Sequence, residues 1–76
     1  MIDLKLLRDK IDERGVRINH VAKMAGLTKQ GFHLRLKGIG PGFRVSELDG
    51  IRAALHLNDA EFFSLFTQGD EGAKHG

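Results

Sequence analysis

Lys29, Gln30, His33, Leu34 and Lys37 fall on one side of the chain if residues 28–37 are helical. At about 100° per residue, Phe32 and Leu36 define the opposite, inward side. Leu34 then lies outermost, flanked by Gln30, His33 and Lys37, with Lys29 at the leading end. Cationic and amide donors at that spacing suit the planar, acceptor-rich edges of nucleobases. Lysine donates to guanine O6 and N7, glutamine pairs bidentately with adenine, and leucine packs on a thymine methyl. The surrounding charge fits the same chemistry. Residues 14–44 hold Arg14, Arg17, Lys23, Lys29, Arg35, Lys37 and Arg44 and no acid, a net of +7, whereas 1–13 carry −1 and 45–76 carry −4. An acid-free block in an otherwise acidic chain describes one face suited to a polyanion.

Other chemistries find no foothold. The chain has no cysteine, which excludes a disulfide scaffold, a thiolate zinc site and a cysteine nucleophile, and fits a reducing, cytoplasmic setting. His20, His33, His56 and His75 lack metal-ligand spacing, so no metal and no cofactor is expected. No carboxylate pair or nucleophile–base pair is evident, and the expectation is a protein that is not an enzyme. The stretch Gly38-Ile39-Gly40-Pro41-Gly42 resembles a phosphate loop only superficially, since it follows a helix and lacks the Gly-Lys-Ser/Thr ending. No apolar run approaches the ~20 residues of a membrane span. The first residues also lack a signal peptide's layout.

Seventy-six residues are the length of one small domain. Strand signals are weak, and helical periodicity recurs with punctuation, so the expected fold is an all-α bundle of five short helices over residues 1–67, with a flexible tail at 68–76. The first helix spans Leu4 to Arg14, capped by Asp3 and closed by Gly15, with Leu4, Leu7 and Ile11 inward. The second spans Ile18 to Ala25, buries Val21, Ala22 and Ala25, and closes at Gly26. Thr28 caps the third, which runs to about Lys37. After a loop at 38–44, Ser46 caps a fourth to about His56, with Leu48, Ile51 and Leu55 inward. Gly50 within it counts as a weakness of roughly 1 kcal/mol against alanine. Asn58 caps a fifth, and Glu61 completes a capping box. Phe32, Phe62, Phe63 and Phe66 read as core. Phe63 does not share a face with Phe62, and its alternative reading is an exposed homodimer contact through this last helix.

Only Gly26-Leu27-Thr28 joins the second and third helices, a connection that forces a steep crossing. Gly31 reads two ways: it lets the helix backbone approach DNA closely, or it relieves crowding between these helices. The run Val21-Ala22, Ala25-Gly26-Leu27-Thr28, Lys29-Gln30-Gly31-Phe32 and Leu36-Lys37-Gly38 resembles the Cro/lambda-repressor-like helix-turn-helix domains of phage and bacterial regulators. The likeness covers Leu4 to Phe66, with the motif at about 16–38. The stretches Phe43–Leu48 and Leu57–Phe63 look like those of short phage-type regulators. The resemblance implies double-stranded DNA as partner, with Ala22 and Gly26 as packing positions. It further implies base contacts from Lys29, Gln30 and Leu34 and a phosphate contact from Lys37. His33 joins the base-reading set from the helical wheel, Arg17 and Arg44 join the phosphate set because they flank the motif, and Thr28 is counted with them. The chain departs from the family at Arg17-Ile18, where a Ser/Thr-Gln pair is usual; Arg17 can still meet phosphate, but Ile18 cannot. An exposed Ile18, with Leu34 and Phe63, would instead suit a protein partner, as in a repressor modulator or antitoxin on the same scaffold.

Overall fold

The computed structural model describes residues 2–74, with side chains as far as residue 66. It is all-helical: α1 (Leu4–Arg14), α2 (Ile18–Ala25), α3 (Lys29–Leu36), α4 (Val45–Leu55) and α5 (Asp59–Lys74), with no strand among the described residues. None of these helices is long and apolar enough to cross a membrane.

Local signals explain most boundaries. The Asp3 carboxylate accepts from the Leu6 N–H at 3.0 Å and starts α1, which Gly15 ends. At the start of α5 the capping box is reciprocal. The Asn58 side chain accepts from the Glu61 N–H at 2.8 Å, and Glu61 accepts from the Asn58 N–H at 3.0 Å. The backbone of α5 is helical to Lys74, past the point where the sequence predicts a tail; side chains from residue 67 onward, and His75, lie outside the described residues.

The start of α4 corrects the sequence reading. Arg44, not Ser46, is the cap, and Ser46 lies inside the first turn. The Glu47 carboxylate reaches back to accept from the Arg44 N–H at 2.8 Å. Arginine has no acceptor to return the bond, so this cap is one-sided and its initiating residue gives no signal.

The core joins all five helices. Leu7 and Ile11 of α1, Val21, Ala22 and Ala25 of α2, Phe32 and Leu36 of α3, Ile51, Ala54 and Leu55 of α4, and Leu65 of α5 are buried together with Leu57. The most extensive helix–helix packing is α2 on α4. Gly50 makes it possible. A Cβ built at Gly50 would stand 2.0 Å from the Met24 carbonyl oxygen and 2.8 Å from Ala25 Cα. The glycine is therefore a requirement of the packing, which reverses its reading as a weakness. On the other side, Arg14 and Lys10 of α1 both pair with Glu61 of α5, and the Asp3 N–H donates to the Leu65 carbonyl at 2.7 Å. The Arg52 guanidinium pairs with Asp59 and stands 4.9 Å from the Phe62 ring centroid, while Phe62 meets Phe66 edge-on at 5.2 Å.

Two outcomes are expected. Gly50→Ala should destabilise the protein by at least about 3 kcal/mol in urea unfolding, because two backbones must separate and not just a side chain. Alanine's better helix propensity would instead predict a gain. The second concerns acid. The Asn58 amide, then the charges of Arg14 and Lys10, hold the Glu61 carboxyl below its ordinary range, against a desolvation that acts the other way. A depressed value means that the stabilisation is full at neutral pH and is lost as pH falls through the folded-state value. Glu61→Gln should therefore lower stability at about pH 6 and flatten its decline towards about pH 3.

Candidate nucleic-acid interface

The eight residues of α3 have little intrinsic stability and are held from three sides. Phe32 is fully buried and Leu36 nearly so, which fixes the inner face. At the leading end, the Thr28 hydroxyl oxygen accepts from the Gly31 N–H at 3.0 Å. The turn before it closes through the Leu27 N–H to the Ala22 carbonyl at 2.9 Å, and Gly26 adopts φ 78°, a left-handed conformation that admits glycine at little cost. At the far end, Arg35 Nε donates to the Gly42 carbonyl at 3.0 Å and lies 3.8 Å from the Glu47 carboxylate. Phe43 closes the loop over the core, its ring centroid 5.8 Å from that of Phe32.

What remains outward is the expected set, with one difference. Lys29, Gln30 and Lys37 are exposed and Leu34 is 40% exposed. His33 is half-buried and lines a small cleft of about 160 Å³ with Arg8, Asp12, Ile18 and Lys37. It therefore stands at the α1 edge of the face and not at its centre. Gly31 is tight against its own helix. An added Cβ would meet the Thr28 hydroxyl oxygen at 3.0 Å and the Arg35 guanidinium at 3.6 Å, with no atom of α2 within 4 Å. The reading in which it relieves crowding between α2 and α3 is thus corrected.

Around this face, Arg17 is the exposed cap residue of α2 and makes no side-chain capping bond, and Arg44 is the exposed cap residue of α4. Thr28, exposed and accepting from Gly31, keeps its hydroxyl hydrogen to donate. Among the described residues, Arg17, Lys23, Lys29, Lys37 and Arg44 enter no ion pair, whereas Arg14 and Arg35 are taken up by Glu61 and Glu47. The acid-free block thus divides into two structural cations and five unpaired ones. Ile18 is half-buried against the core rather than exposed, and borders the small cleft that His33 lines. Phe63, by contrast, is 62% exposed on α5. No group of three metal-ligating side chains occurs among the described residues.

Sequence reasoning missed the Arg35–Gly42–Glu47 tie and the seat of Phe43. The one available signal was the spacing Arg44-x-x-Glu47, which places a carboxylate at the third position of a helix. Searches against family models, curated proteins and solved structures found no match to this chain.

Arg35→Ala separates a structural cation from a phosphate contact. It should lower stability by about 1–3 kcal/mol, since Glu47, only 8% exposed, loses its nearest cation. The salt dependence of any DNA binding should stay unchanged. A shallower salt slope with unchanged stability would reverse the assignment.

Proposed function

We propose that this chain is a sequence-specific DNA-binding transcriptional regulator of the phage repressor or Cro type, on a lambda-repressor-like helix-turn-helix formed by α2 and α3. The observation that carries this reading is the outward face of α3, where Lys29, Gln30 and Leu34 stand exposed with no acid paired to them among the described residues. In the proposed complex α3 lies in the major groove. Lys29 reads guanine, Gln30 reads adenine and Leu34 packs on a thymine methyl. Arg17, Thr28, Lys37 and Arg44 meet phosphates on either side, which sets register without reading sequence. One such module covers a small area, about 600–1,000 Å². Tight binding therefore calls for two copies on a two-fold operator with half-sites about one helical turn apart, the exposed Phe63 of α5 supplying the contact. Regulation follows by occluding or recruiting at a promoter.

A second reading, a protein-binding modulator or antitoxin, draws on the exposed Leu34 and Phe63. It loses its third support with the half-burial of Ile18.

Titration against pooled random duplex DNA over a range of salt tests the proposal. With three to five phosphates neutralised, log K should fall with log salt at about −2.7 to −4.5. Lys29→Ala combined with Gln30→Ala should reduce the discrimination of selected over random sequence by about 2–4 kcal/mol while leaving most of the slope. Absence of DNA binding at low salt, with a protein partner lost on Leu34→Ala, would establish the second reading instead.

A further inference from the structure

We infer that Arg8 of α1, which lies outside the acid-free block, is a phosphate-binding residue of the same interface; this rests on the DNA-binding reading above. Two clefts adjoin the edge of α3 that carries His33 and Lys37. The larger, of about 520 Å³, lies between α1 and the end of α3, and the smaller reaches Ile18 at the start of α2. Arg8, Asp12 and Lys37 line both. Lys5 and Asp9, which border the larger, pair with each other at 3.7 Å and largely cancel. Arg8 is exposed and enters no ion pair or hydrogen bond of its side chain among the described residues. The edge therefore carries two unpaired cations, Arg8 from α1 and Lys37 from the cap that ends α3, against the single carboxylate of Asp12.

The position explains the need. A helix seated in the major groove nearly fills its ~12 Å width, so elements flanking it meet the phosphate backbones. On the α2 side of this edge the first helical residue is Ile18, which has no side-chain donor. Arg8 borders the same cleft as Ile18 and brings a planar guanidinium, whose two parallel donors match phosphate oxygens. Arg8 and Lys37 would thus grip one strand from α1 and the end of α3, and Asp12 would weaken the grip by repelling the same phosphate.

The test measures affinity and salt slope on pooled random duplex DNA for wild type, Arg8→Ala, Arg8→Lys, Asp12→Asn and Arg17→Ala. Circular dichroism and urea unfolding check that each variant folds. Arg8→Ala should bind about tenfold more weakly at low salt and lose about one unit of slope. Arg8→Lys should retain the slope and part of the affinity, and Asp12→Asn should bind more tightly than wild type. If Arg17→Ala weakens binding while Arg8→Ala changes neither affinity nor slope, this assignment is overturned and the DNA-binding reading stands. If the wild-type protein fails to bind duplex DNA, both fall together.

Discussion

At Gly50 the backbone of α4 rests directly on the backbone of α2, and the orientation of everything that faces outward from α3 follows from that contact. An approach this close to the Met24 carbonyl leaves α2 almost no freedom to slide or roll on α4. The small side chains Ala22 and Ala25, both buried, complete the seat. From α2 the constraint passes through a turn too short to flex. The bond from the Leu27 N–H to the Ala22 carbonyl and the left-handed Gly26 define where α3 begins, and buried Phe32 defines how it is rotated. A shift of a few tenths of an ångström at Gly50 would thus be carried to Lys29 and Gln30, the base contacts of the proposed complex.

Charge is sorted by the fold in a way that composition alone conceals. Seven cations lie in an acid-free block, yet acids from α4 and α5 return to claim two of them. The Glu47 carboxylate, nearly buried, serves the Arg44 N–H and lies beside the Arg35 guanidinium, so one acid both starts α4 and helps to anchor the loop before it. The Arg44 side chain takes no part in that bond and is exposed. Exposed pairs such as Lys5–Asp9 contribute little to stability, and their consequence here is to subtract charge from an edge. What matters for a polyanion is the set of cations left over after folding, and that set is smaller than the block and extends beyond it, to Arg8.

Helix boundaries were legible wherever a cap is local. Asp3, Thr28 and Asn58 each bond an amide three residues on, and Gly15 and Gly26 each end a helix; these are properties of a few consecutive residues. The outward face of α3 was legible for the same reason, since helical geometry alone sets which residues lie opposite Phe32 and Leu36. Other features depend on partners distant in the chain. Gly50 looks like a defect until Met24 is beside it, and Ile18 looks exposed until the core it packs against is assembled. Ser46 looks like a cap until Glu47 is seen bonding Arg44. His33 belongs to the reading face by spacing, but the cleft against Arg8 and Asp12 draws it to one side.

The division of labour within α3 has a consequence for how such a surface can vary. Its stability comes from groups that face inward or sit at its ends: Phe32 and Leu36 in the core, Thr28 at the cap, and Arg35 tied to Gly42. Lys29, Gln30 and Leu34 carry none of these contacts, so in the proposed complex exchanging them would alter recognition while the packing that orients the helix is left in place. Gly31 is the exception on that side, because its missing Cβ is space used by Thr28 and Arg35. In the proposed DNA complex the unpaired cationic rim would add affinity without sequence information, and a separate row of side chains on a pre-oriented helix would add the information. A fold that keeps these two groups of residues apart can change what it recognises without having to change how it folds.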